Sequence, residues 1–248
     1  MAAPLLLAIE TATRVCSVAL ARGAELLRVR ANSDARLHSE RLLPMIDALL
    51  GEAGVKLADV GAFAISIGPG SFTGLRIGLA TVKAFALADG RPVAAVSTLA
   101  ALCASADASD GGATGAGAER VRAATPVAAL LDARRGAYYA ACVSRAGLAR
   151  CDVLADCVLT PRDLATKLPH GAHVVVGEGA REGADQLAAL RPDLALLTLP
   201  DLGANAASVA RLGAQLLAEG AGRDAAELVP FYLRRAEAEA RRTGIAFE

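Results

Sequence analysis

The sequence has no excess of charge of either sign: Lys plus Arg number 26 and Asp plus Glu number 26. A chain without an overall basic field cannot hold tRNA or DNA unaided, so a nucleic-acid role would have to come through a partner. The five cysteines, Cys16, Cys103, Cys142, Cys151 and Cys157, include no C-x-x-C pair. An odd count without framework spacing reads as buried, reduced thiols in the cytoplasm rather than disulfides. The opening M-A-A-P-L-L-L-A-I-E has no basic residue, and its apolar run stops at Glu10. That is too short for a signal peptide or a membrane span. A G-x-x-x-x-G-K loop and a G-x-S-x-G nucleophile elbow are both missing. His170-Gly-Ala-His173 has H-x-x-H spacing but brings no third ligand, so it gives a metal site little support.

What is present is organised around residues 65–90, I-S-I-G-P-G-S-F-T-G-L-R-I-G-L-A-T-V-K-A-F-A-L-A-D-G. A short apolar strand breaks at Gly68-Pro69-Gly70, and a helix is expected from Thr73, with Thr73 as cap and Gly90 as stop. Between Gly74 and Ala88 only Arg76, Thr81 and Lys83 are polar. A helix apolar nearly all round must be buried nearly all round. Gly74 and Gly78, with Thr81 one turn on, form a notched stripe where another helix could approach closely.

The remaining pattern predicts strands at 5–9, 15–21 and 24–30, then a helix carrying Leu42, Met45, Ile46, Leu49 and Leu50. Pro44 predicts a late start or a kink in that helix. Residues 104–124 turn to Ala, Gly, Ser and Asp and read as a flexible loop. Beyond them the opening pattern recurs. Residues 127–131 and 137–143 repeat the hairpin, and His173 to Gly179 leading into a helix repeats strand, G-x-G, helix. A further helix is expected over 205–218, then an extended Leu228 to Arg234 and a charged tail. The repetition predicts an α/β chain of two subdomains, 1–104 and 125–248, with helix 205–218 packing back on the first.

The loop Gly68, Gly70, Ser71 at a helix N-terminus invites an anion, but G-x-G-x-x-x-G is not a dinucleotide fingerprint, and a tight structural turn is the simpler reading. Glu10 and Asp132 each end a first strand. They could face a cleft and hold a metal–nucleotide, as in an ATP-dependent phosphotransferase, or could accept turn N–H bonds.

The segments L-L-A-I-E-T-A-T-R-V-C-S-V-A-L, H38-S-E-R-L-L-P-M-I, I-G-P-G-S-F-T-G-L-R-I-G-L-A-T-V-K-A, D132-A-R-R-G-A-Y-Y-A and P230-F-Y-L-R resemble the bacterial TsaB family. Glu10 stands where that family usually has Asp, which weakens a nucleotide contact there. The resemblance implies a duplicated actin-like, RNase H-like (ASKHA) fold with mixed sheets flanked by helices. It implies an accessory role in threonylcarbamoyladenosine synthesis at position 37 of tRNA. The catalytic relative TsaD carries metal-binding histidines in H-H-M-E-G-H, where this chain has Thr98 and Leu102, so neither protease nor transferase chemistry is expected of it. Leucine has no donor atom, and a lone hydroxyl is a poor ligand.

The resemblance further implies a cytoplasmic scaffold that binds TsaD, or a second copy of itself, through the helices at 38–50 and 74–88. The ATPase TsaE joins, ATP or ADP enters only in the complex, and tRNA only through it. The expected contacts are Leu42, Met45 and Leu49 on one helix and Gly74, Gly78, Thr81 and Phe85 on the other. On that reading Gly78→Arg spares the fold and abolishes partner binding.

Overall fold

The computed structural model describes residues 3–32, 38–108, 125–144, 152–199 and 203–234. Its contacts divide the chain into two units, Met1–Ala101 with Ala204–Phe231, and Leu102–Gly203 with Tyr232–Glu248. Residues 204–231 thus belong to the first unit, in line with the expectation that helix 205–218 packs back on it from within the stretch 125–248.

In the first unit, β1 (Leu5–Glu10), β2 (Cys16–Arg22) and β3 (Glu25–Asn32) form an antiparallel meander. Strand β4 (Ala62–Gly68) pairs parallel to β1, and β5 (Val93–Ser97) parallel to β4, giving the order β3-β2-β1-β4-β5. Helices α1 (His38–Ala53) and α2 (Phe72–Asp89) make the crossovers. Alternation along the strands gives the sheet two unlike faces. Leu7, Ile9, Val18, Leu20, Phe63 and Ile65 pack with Leu42, Ile46 and Leu49 of α1 and with Leu79 and Val82 of α2. The opposite face is built from Ala8, Ala19, Ala64 and Ala94, all buried. Against it lies α6 (Ala206–Ala218), packed on β1, β2, β4 and β5. A Cβ on Gly213 would fall deep inside contact of the Ala64 methyl and 3.5 Å from that of Ala94. Small residues on both sides let helix and sheet meet almost backbone to backbone.

Several local expectations are corrected. Helix α1 runs through Pro44 from His38. The carbonyl that loses its partner is that of Glu40, in an exposed first turn where water can replace it. Ser71, not Thr73, caps α2, its hydroxyl accepting the Gly74 N–H at 3.2 Å. Gly90 ends α2 in the left-handed conformation, its N–H bonded to Ala86 O. Residues 104–108, read as the start of a loop, continue α3 (Thr98–Ala108). Their alanines propagate a helix without any polar–apolar period. The rest of that loop, 109–124, lies outside the described residues, as do Cys151 and the charged tail beyond Arg234.

The second unit repeats the plan. Strands β6 (Val127–Asp132), β7 (Tyr138–Val143) and β8 (Leu154–Leu159) form the meander; β9 (Ala172–Val176) pairs parallel to β6, and β10 (Ala195–Leu199) parallel to β9. The order β10-β9-β6-β7-β8 is the first sheet's order read from the other end. Helices α4 (Pro161–Lys167) and α5 (Ala180–Leu190) contribute Leu164, Ala165, Ala180 and Leu187 to a core with Leu130, Tyr138, Cys142 and Val175. This is a duplicated actin-like fold with two mixed sheets flanked by helices. Among the described residues no helix is long and apolar enough to cross a membrane.

Candidate functional site

The glycines of α2 are occupied from within. The turn after β1, residues 11–14, lies against the start of the helix. Thr11 Oγ1 donates to Gly74 O at 2.9 Å, and Ser71 N–H donates to Ala12 O at 2.7 Å. A Cβ on Gly70 would strike Ala12 O, one on Gly74 would strike Thr11 O, and one on Gly78 would strike Thr11 Oγ1. The notched stripe expected to receive a partner helix therefore receives the chain's own β1–β2 turn. Gly74 and Gly78 are corrected from partner contacts to seats for that turn.

Glu10 holds the turn in place. It is fully buried; Oε1 accepts the N–H groups of Ala12 (2.6 Å) and Thr13 (3.1 Å), and Oε2 accepts the Ser66 hydroxyl. Burial pushes its carboxyl up to about 7, against the opposing pull of those three donors. Of the two readings of Glu10, the geometry realises the acceptor of turn N–H bonds. Gly70 and Ser71 lie against the same turn, whereas Gly68 lies under the Phe231 carbonyl, with Phe231 N–H donating to Ile67 O at 2.7 Å. Burial, with Glu10 nearby, raises the Cys16 thiol to about 11, keeping it protonated. Cys103 and Cys142 are buried thiols outside any disulfide as well, and Cys157 is half-buried.

The outward stripe of α2 comprises Thr73, Arg76, Ala80, Ala84, Leu87 and Ala88, with Ile77 half-buried among them. These positions recur at i, i+3, i+4 and i+7 and so share one face. Leu87 is 53% exposed, and on the neighbouring α1 Leu43 is 55% exposed. Of the expected contacts, Leu42 and Leu49 are turned fully into the core, which corrects them as partner-facing residues. Met45 is half-buried against that core. Thr81 bonds back to Ile77 O, and Phe85 packs on Phe63 with ring centroids 6.1 Å apart. Apolar periodicity located both helices but did not tell which side of each is buried.

Both cations on α2 are engaged. The Arg76 guanidinium lies 3.9 Å from the Phe72 ring centroid. Lys83 Nζ donates to Ala226 O (3.2 Å) and Leu228 O (3.0 Å), fastening the extended segment that leads to Arg234. Nothing in the sequence pairs Lys83 with residues more than 140 positions away.

In the second unit Asp132 is exposed and ends β6. It accepts the Arg134 N–H at 2.7 Å and pairs with the Arg134 guanidinium at 3.2 Å. The H-x-x-H residues diverge: His170 Nδ1 sits 2.9 Å from exposed Asp193, whereas His173 is buried in β9. Among the described residues no three His, Cys, Asp or Glu side chains group as metal ligands. Thr98 is buried at the head of α3, and Leu102 is buried against the Gly177 backbone.

A family model for TsaD, the tRNA N6-adenosine threonylcarbamoyltransferase, matches residues 29–210. The TsaB protein of Escherichia coli, described as a tRNA threonylcarbamoyladenosine biosynthesis protein, is 40% identical over 136 residues, 54% of this chain and 52% of its own. The TsaB protein of Haemophilus influenzae is 41% identical over 39% of this chain and 41% of its own. The matches thus span about half the length, or less, of these curated relatives. The solved structure of YeaZ from Pseudomonas aeruginosa is 34% identical, with a TM-score of 0.77, covering 93% of this chain and all of that one. YeaZ being the TsaB orthologue, the chain belongs to the TsaB family.

Proposed function

We propose that this chain is a non-catalytic accessory subunit in the synthesis of threonylcarbamoyladenosine at position 37 of tRNA, acting by docking on the TsaD transferase. One observation carries the reading: Ala80, Ala84 and Leu87 on α2, beside half-buried Ile77, and Leu43 on α1 leave apolar side chains in water on helices otherwise fixed by their own fold. An apolar patch of this kind marks an interaction surface. Its small residues at Ala80 and Ala84 allow a partner helix to approach closely. The relatives' names supply the pathway, and the match to the transferase family supports a partner of related build. Two chains of one ancestry can pair through equivalent helices around a near two-fold axis, and in the absence of the transferase a second copy takes its place.

Leu102 supports the non-catalytic part. Its side chain is spent on core packing, at a position where the resemblance to the transferase implies a metal ligand. TsaE and ATP belong to the assembled complex on this reading, and tRNA reaches this chain only there.

The test is reconstitution of the tRNA modification from purified components with and without the chain, beside co-elution with the transferase. Ala84→Arg is expected to leave the thermal midpoint unchanged while abolishing both co-elution and stimulation. Modification at full rate without the chain would end the proposal.

A further inference from the structure

We propose that the β6–β7 turn, residues 132–136, together with Arg234, is a contact for the phosphate backbone of RNA. This rests on the reading above that the chain serves tRNA modification. The observation is a costly display of arginine. Arg134 (φ 65°), Arg135 (φ 55°) and Gly136 (φ 70°) are three successive left-handed residues. Only glycine takes that conformation without strain, and hairpin turns that need it usually carry Gly, Asn or Asp. Strain of this kind persists where the side chains it presents have a use.

The turn is held rigidly. Ala133 N–H bonds to Ala137 O at 3.0 Å and Ala137 N–H to Arg134 O at 3.3 Å. Arg234 reaches in from a hundred residues away, its Nη1 donating to Arg134 O at 2.9 Å and to Ala133 O. That guanidinium satisfies the turn's carbonyls. Asp132 orients Arg134, whose side chain is still 83% exposed, and Arg135 makes no ion pair among the described residues. The exposed guanidiniums of Arg134 and Arg135 stand at a turn that carries one carboxylate, Asp132, in a chain whose formal net charge is zero.

The choice of RNA over an acidic protein follows from what the turn lacks. Asp132, Arg134, Arg135 and Gly136 are exposed, and none offers apolar area. Protein interfaces draw their affinity from desolvated anchors, Trp, Tyr and Arg among them, set in well-packed surroundings, and this turn offers its arginines with no apolar area around them to bury them. Phosphate contacts need only charge and donors, and the arginine fork matches phosphate oxygens.

The experiment uses the chain in complex with the transferase and measures tRNA affinity over a series of salt concentrations. Arg134→Gly with Arg135→Gly relieves the backbone strain while removing both charges. It is expected to weaken tRNA binding about ten-fold and to reduce the slope of log affinity against log salt by about 1.5, the share of two phosphates. The thermal midpoint should not fall, and co-elution with the transferase should persist. Arg134→Lys with Arg135→Lys should keep the slope. Unchanged affinity and slope in the glycine variant, with the complex intact, overturns this proposal alone. Displacement of tRNA from this turn by excess ATP would make it a nucleotide site and overturns it too. If the unaltered chain neither joins the transferase nor adds to its tRNA affinity, the parent reading falls and takes this one with it.

Discussion

The hydroxyl of Thr11 donates to the carbonyl of Gly74 at 2.9 Å and at the same time occupies the space that a methyl group on Gly78 would need. One side chain from the turn after β1 thus sets both the position of α2 and the residues α2 can carry on that side. Gly78→Ala is expected to destabilise the protein by about 1–3 kcal/mol, the usual cost of overpacking. Gly78→Arg should prevent folding of the first unit rather than act selectively on partner binding. Urea unfolding of both, beside Ala84→Arg on the outer stripe, checks this. Equal stability of Gly78→Arg and the unaltered chain would mean that the turn is not seated as described.

Glu10 makes stability depend on pH in an unusual direction. Its carboxyl titrates near 7 when folded and near 4.5 when exposed, so between those values the folded state binds a proton that the unfolded state has released. The contribution is complete below about pH 4.5 and is lost as pH rises through 7, by at most about 3 kcal/mol. Glu10→Gln, neutral throughout and able to accept the same N–H bonds, should flatten the stability curve across this window. Denaturant midpoints measured from acid to neutral pH read this out; an unchanged slope in the glutamine variant would assign the dependence to other groups.

Lys83 fastens the segment 226–231 across α2. Lys83→Met keeps the helix and most of the stem packing but deletes two charged hydrogen bonds to Ala226 and Leu228. A loss of about 1–2 kcal/mol is expected, smaller than for a fully buried bond because the lysine is half-exposed. Hydrogen exchange at the Phe231 N–H, bonded to Ile67 O, should quicken before that of β4 as a whole. Uniform quickening would show that the segment is not a separate fastening.

The contact between α6 and the sheet is a matter of missing methyl groups. Gly213→Ala should cost about 1–3 kcal/mol by forcing the helix off Ala64. Adding Ala64→Gly should restore part of that loss, with a coupling of about 0.5–2 kcal/mol in a double-mutant cycle. Additive losses would place the strain elsewhere.

Much of the architecture was legible because it is written in periods. The apolar runs ending at Glu10 and Asp132, and the strand–glycine–helix segments at 65–90 and 173–190, revealed the duplication. Strands β8 and β10 were not legible; both are half-buried edge strands whose composition carries little alternation. Residues 104–108 of α3 failed for the opposite reason, since alanine and serine bury equally well on every side. At the candidate site the helices could be found but their outward faces could not. Hydrophobicity cannot tell a leucine directed at its own sheet, such as Leu49, from one left in water, such as Leu43. Thr11 and Lys83 act on partners distant in sequence, which no local pattern records.

The first unit is discontinuous, and this orders its birth. A ribosome releases β1 to β5 long before residues 204–231 exist, so the alanine side of that sheet waits uncovered while a hundred further residues are made. Closing it depends on a late return of the chain, and a nascent product truncated before Ala204 would be a sheet with one side open to whatever it meets first.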